Sequence, residues 1–212
     1  LDEALAALAA GARPVAGGSD LVVGARQGKA PLPEHVVAIG HSAGGGTILG
    51  AASADDRIDG FVSMASGRLG DDTAPMPAVP SLFVAGSVDA VVSAETVTRP
   101  AFEAATSPSL LWIIEGVGHN GFDDFCTLGG GTGIIGVAEA AGLGALLDAQ
   151  PQFRTLGEDG CIEPAVPVDT TFPIVLHVVT AWTLQLFGLD PGTGLDASVA
   201  GSYSTPVDIE SR

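Results

Sequence analysis

The chain alternates short apolar runs with stretches of small residues. "HVVAIG" (35–40), "IDGFVSMAS" (58–66), "PSLFVAGSVD" (80–89) and "SLLWIIEGVGH" (109–119) are apolar stretches of strand length, each running out into Gly, Ser, Asp or His. Apolar runs without polar alternation suit parallel strands covered on both faces. Between them, "GGGTILGAASA" (44–54) reads as a helix rich in small residues. "SAETVTRPAFEAA" (93–105) reads as a helix capped by Ser93, with Glu95 near its start and a break at Pro100. This alternation predicts an α/β fold with a mostly parallel sheet flanked by helices.

The flanking segments have a different character. Residues 1–10, "LDEALAALAA", predict a helix stopped by Gly11 and Pro14, and 12–31 are Gly-, Pro- and Ser-rich around a short "LVVGA". Beyond residue 120, "GTGIIGVAEAAGLGALLDA" (131–149) and "FPIVLHVVTAWTLQLFG" (172–188) predict a helical C-terminal segment, with a loop over about 150–171. The tail from 190 is Gly-, Ser- and Pro-rich and closes, at most, on a short strand. No fixed-period repeat is present.

Charge narrows the partners. Eight Lys and Arg stand against 25 Asp and Glu, a net charge of −17. Such a chain repels nucleic acid and anionic membrane surfaces. The apolar stretch 172–188 is too short for a membrane span and is interrupted by His177, Thr180, Thr183 and Gln185, so a buried helix is expected and no stable membrane insertion. The chain starts at Leu1 without a signal-peptide pattern.

"Gly40-His41-Ser42-Ala43-Gly44" is a G-x-S-x-G sequence with a predicted strand before it and a predicted helix after it. In that context the serine stands exposed on a tight turn, Gly40 and Gly44 permit close backbone approach, and the Ala43 N–H is an oxyanion donor. A serine hydroxyl is a weak nucleophile until a base takes its proton and a third group orients the base. Asp89 follows one predicted strand and His119 the next, where an open parallel sheet gathers its ligands. The order Ser, acid, His distinguishes this set from a turn built of small residues.

These segments, "GHSAGG", "FVAGSVDAVV" and "IEGVGHNGF", resemble the nucleophile, acid and histidine segments of the α/β-hydrolase superfamily. They are most similar to dienelactone-hydrolase, chlorophyllase and platelet-activating-factor-acetylhydrolase-like serine esterases, over about residues 1–122. The resemblance implies a partial α/β-hydrolase fold, Ser42 as nucleophile, Asp89 as orienting acid, His119 as general base, and no metal or organic cofactor. That superfamily carries several strands before its nucleophile and an oxyanion loop, often His-Gly-rich. Here a helix and a loop precede Ser42, so the chain is expected to be one domain, 1–212, incomplete at its N-terminus.

Other residues compete for these roles. His41 flanks the serine, with its side chain expected to point away from that of Ser42 in a packing or loop-positioning role. His35 is expected at the surface, and His177 and Trp112 in the core. Asp123 and Asp124 are alternative acids. "Gly131-Thr132-Gly133-Ile134-Ile135-Gly136" matches G-x-G-x-x-G but lacks the preceding strand of a dinucleotide site. Cys126 and Cys161 fit no zinc motif. They are either two buried thiols or a disulfide pinning the segment after the histidine, and the related secreted esterases favour the bond. A disulfide would put the protein outside the cytosol, extracellular or at the cell surface.

The expected activity is hydrolysis of carboxylic esters, of hydrophobic acyl or lipid-like type, with residues 121–171 as a lid-like or pocket-bordering segment. Acyl transfer on the same residues, and a non-catalytic binding protein on a hydrolase scaffold, stand as alternatives.

Overall fold

The structure, a computed structural model, describes residues 35–68 and 75–212. The predicted helix at 1–10 and the Gly- and Pro-rich stretch at 12–31 lie outside the described residues. Four strands run parallel in sequence order: β1 (Val36–His41), β2 (Ile58–Met64), β3 (Ser81–Gly86) and β4 (Ser109–Ile114). A fifth, β5 (Val207–Ser211), closes the order antiparallel to β4, so the tail does end in a strand.

Alternation between two covered faces explains why β3 and β4 are apolar after their first residues, Ser81 and Ser109. Val62, Leu82, Val84, Leu110, Trp112 and Ile114 share one core with Ile174, Val178, Ala181 and Trp182. Those last four lie on a long helix from Val168 to Leu186. Phe61, Phe83, Ala85, Leu111 and Ile113 face the opposite side. There they meet Leu49 and Ala52 of α1 (Ala43–Ala54) and Ala101 and Phe102 of α2 (Ala94–Ala104). With cover on both faces, every residue of β3 and β4 is buried and no polar alternation survives. The outcome for β1 is different. It stands at the end of the sheet among the described residues, half-buried, with Ile39 exposed, rather than in the covered centre that its apolar run predicts.

Pro100 does not break α2. The first turn is wide, with the Thr98 N–H reaching back five residues to the Ser93 carbonyl (3.4 Å), and the α-helical part begins at Arg99. Pro100 therefore sits in a first α-turn, where no N–H is required of it. Ser93 caps the helix as predicted, its hydroxyl accepting from the Thr96 N–H.

The region after His119 is more helical than its sequence pattern predicts. Short turns at His119–Phe122 and Phe125–Thr127 lead into α3 (Gly133–Ala140), α4 (Gly144–Ala149) and α5 (Pro151–Glu158). The stretch 150–171 is thus not a loop. It contains α5 and the start of α6 (Val168–Leu186), which accommodates Pro173 inside it. The predicted helix over 131–149 is two, because Gly142 takes a positive φ (83°) between them. Among the described residues no helix is long and apolar enough to cross a membrane.

Candidate active site

Ser42 joins β1 to α1 in a conformation a side chain rarely adopts, φ 56° and ψ −126°. Such backbone costs about 1–3 kcal/mol and persists only where its surroundings hold it. The Ser42 N–H donates to the Met64 carbonyl (2.9 Å) at the end of β2, and the Ser42 carbonyl accepts from Gly46 (3.1 Å). A serine in this place usually turns its hydroxyl onto the first helical N–H groups. Ser42 makes no such bond. Its Oγ lies 2.8 Å from His119 Nε2 instead.

Gly40 and Gly44 are not equivalent. A Cβ on Gly40 would stand 2.5 Å from the Gly44 carbonyl carbon and oxygen and 2.7 Å from the Gly45 nitrogen, so the turn closes only over a bare α-carbon. A Cβ on Gly44 would meet nothing within 4 Å. The second tight contact falls on Gly45, whose Cβ would lie 2.7 Å from the Ser66 Cβ. The role the motif gives to Gly44 therefore belongs to Gly45.

Asp89 follows β3 and His119 follows β4, both at carboxyl ends that lie beside the serine turn. Asp89 Oδ1 accepts the N–H groups of Val91 (2.9 Å) and Val92 (2.6 Å), which fixes the carboxylate on its own turn. Its Oδ2 is left for His119 Nδ1, at 2.9 Å. A carboxylate only accepts, so Nδ1 carries the proton and Nε2 is free to accept from the Ser42 hydroxyl. The side chains of His119 and Asp89 are 1% and 0% exposed, which keeps water from competing for these bonds. Ala43 opens α1, and its N–H has no partner within the helix. The predicted Ser42, His119 and Asp89 are thus brought into one hydrogen-bonded line, with Ala43 beside it.

The family model for the alpha/beta hydrolase family matches residues 21–136, over half of the chain. The chain belongs to the alpha/beta hydrolase family. No curated protein matches it. Ser42 and His119 line a cavity of about 480 Å³. Its walls are apolar: Ile134, Ile135 and Ala138 of α3, Leu147 of α4, and Phe153 and Leu156 of α5.

His41 does not point away from the serine. Its Nε2–H donates to the His119 carbonyl (2.9 Å), its ring centroid lies 4.9 Å from that of His119, and it lines the cavity. The reason is that the backbone of the histidine loop, lying across the elbow, offers it an acceptor. Burial first, and then the neighbouring His119, hold the His41 imidazole below its ordinary range. Its Nδ1 faces Asp123 Oδ2 at 3.4 Å, and burial pushes that carboxyl up. Asp123 therefore lines the cavity through His41, while Asp89, not Asp123 or Asp124, takes His119.

His35 and Trp112 stand as expected, whereas His177 is not fully in the core. His35 is exposed, Trp112 is fully buried, and His177 is half-buried against the Tyr203 hydroxyl. The G-x-G-x-x-G stretch follows a short turn, not a strand, and opens α3. Cys126 and Cys161 form a disulfide. Among the described residues no group of three or more His, Cys, Asp or Glu is arranged to hold a metal ion. Sequence reasoning missed Asp159. Its carboxylate accepts from the backbone of the histidine loop, but nothing in its local pattern sets it apart from other turn aspartates.

Proposed function

We propose that this hydrolase cleaves carboxylic esters with an apolar acyl group, through an acyl-enzyme on Ser42. The observation that carries the reading is the 2.8 Å approach of Ser42 Oγ to His119 Nε2, with Asp89 on the far side of the ring. Ser42 Oγ attacks the ester carbonyl carbon while His119 Nε2 takes the hydroxyl proton. The carbonyl oxygen becomes an oxyanion held by the Ala43 N–H, and the imidazolium formed is stabilised by Asp89. His119 then protonates the departing alcohol. A water gives its proton to His119 Nε2 and its oxygen to the acyl carbon, and Ser42 recovers its hydrogen as the acid leaves.

The apolar cavity supports the acyl group as the part recognised. Each buried methylene contributes about 0.8 kcal/mol, so kcat/KM rises roughly fourfold per added methylene until the cavity is full. The segment likeness to dienelactone-hydrolase-like and acetylhydrolase-like esterases supports an ester rather than an amide. The disulfide supports a compartment that keeps thiols oxidised, outside the cytosol.

The test is labelling by a fluorophosphonate together with turnover of p-nitrophenyl esters of increasing acyl length. Label on Ser42, lost in Ser42→Ala and in His119→Ala, and turnover that rises with chain length are expected. A folded protein that neither labels nor turns over any of the esters refutes the proposal and favours a binding role. Added alcohols that divert the acyl group from water mark a transferase.

A further inference from the structure

The turn after α5 bonds to the histidine loop. Asp159 Oδ1 accepts the His119 N–H (2.7 Å) and Oδ2 accepts the N–H of Ala90 (2.8 Å), the residue next to Asp89. The Asp159 carbonyl also accepts from the Asn120 N–H (2.8 Å) and from Asn120 Nδ2 (3.0 Å). The approach is close: a Cβ on Gly118 would lie 2.5 Å from the Gly160 nitrogen. Two residues on, Cys161 is bonded to Cys126, which itself follows the histidine loop.

We propose that Asp159 is a positioning residue, one carboxylate that ties the acid loop to the histidine loop and so sets the distance between Asp89 and His119. This rests on the function proposed above. Short bonds from two amides to an ionised acceptor are among the strong, directional ones. They span loops that no covalent link joins locally. The direct bond from His119 Nδ1 to Asp89 aligns the ring, and the Asp159 bridge holds the two backbones from which ring and carboxylate extend. In Asp159→Asn the side-chain amide NH2 cannot accept, so one of the two backbone amides loses its partner and the loops move apart.

The experiment compares the wild type, Asp159→Asn, Asp159→Glu and, as a control, Glu158→Gln. Two readouts are taken: kcat and KM on a p-nitrophenyl ester, and the hydrogen-bonded His119 Nδ1–H resonance in the proton NMR spectrum. Asp159→Asn is expected to lower kcat by up to about 10²-fold, with KM changed less than about twofold, because misplacement of reacting groups by ångströms has that effect. Its Nδ1–H resonance exchanges faster or broadens away. Asp159→Glu, which keeps both acceptors, recovers part of kcat, and Glu158→Gln matches the wild type. An Asp159→Asn protein with kcat within about twofold of wild type, or an unchanged Nδ1–H resonance, overturns the proposal. If Asp159→Asn fails to fold, Asp159→Glu decides: a kcat no better than that of His119→Ala, in a folded protein, overturns it. A wild type that turns over no ester refutes the proposed function alone, since the resonance still reports whether Asp159 positions the ring.

Discussion

Replacing Gly40 by Ala tests the elbow where its geometry is tightest. The added methyl would stand 2.5 Å from the Gly44 carbonyl carbon and oxygen and 2.7 Å from the Gly45 nitrogen. Ordinary contact needs about 3.5 Å, so the backbone must open by about 1 Å. The atoms met are main chain, which no rotamer change can move. Such overpacking costs about 1–3 kcal/mol of stability. Ser42 Oγ rides on the same turn, and about 1 Å of displacement between reacting groups lowers kcat/KM by about 10²-fold. Gly44→Ala is the comparison. Its methyl meets nothing within 4 Å on an exposed turn of α1, so loss of glycine's backbone freedom stabilises the helix by about 0.5–1 kcal/mol. Thermal denaturation and kcat/KM on a p-nitrophenyl ester read both variants. A lower Tm with strongly reduced turnover is expected for Gly40→Ala, and an equal or higher Tm with most of the turnover for Gly44→Ala. Equal damage from both, or wild-type behaviour of Gly40→Ala, would refute the steric argument.

The cavity, the disulfide and the His41–Asp123 pair each give a further expected outcome. Ala138→Phe fills part of the 480 Å³ cavity and is expected to lower kcat/KM for long acyl esters by about tenfold or more while sparing acetate, as about two excluded methylenes require. Reducing the Cys126–Cys161 bond, which closes a separation of 35 residues, removes about 4 kcal/mol on the loop-entropy view and lowers Tm by roughly 10 °C, seen in denaturation with and without reductant. For His41, ordinarily at 6.5, burial lowers the folded value, so the unfolded chain binds the extra proton and stability falls as pH drops below 6.5 toward that value. Asp123, ordinarily at 3.8, is raised by burial, so its contribution is present at low pH and is lost as pH climbs from 3.8 toward its folded value. Urea unfolding across pH is expected to lose the first slope in His41→Gln and the second in Asp123→Asn; unchanged profiles would contradict these assignments.

The sheet and the line Ser42–His119–Asp89 were legible because each depends on local pattern. A covered parallel strand must be apolar on both faces, and a functional group in this kind of sheet sits just past its end. What escaped the sequence depends on tertiary neighbours. Gly44 and Gly45 are indistinguishable until the segment just after β2 is seen to lie against one of them through Ser66. His41 was expected to turn away because an elbow alternates side chains, but the His119 carbonyl gave it a partner across the turn. The helix α5 hid in an apparent loop because it is short and contains Gly157, although Pro151 at its first position was a usable signal. Asp159 gave no signal, since its partners lie 40 and 69 residues away in sequence.

The boundary of the family match runs through the site. Residues 21–136 contain Ser42 and its elbow, Asp89, His119 and the Ala43 N–H. Leu147, Phe153 and Leu156, which close the far wall of the cavity, and Asp159 lie beyond it. The cavity wall is therefore shared between the matched stretch, through Ile134 and Ile135, and the segment that follows it. Such a segment must still be held in register with the reacting groups to within about half an ångström. Two links meet that need here. The disulfide joins Cys126 inside the matched stretch to Cys161 outside it, and Asp159 bonds back to the histidine loop two residues earlier. The wall is thereby tied to the backbone of the histidine loop at Asp159. On the proposed function, substrate fit and the alignment of His119 are coupled through one turn, and esters that strain the wall should lose kcat as well as affinity.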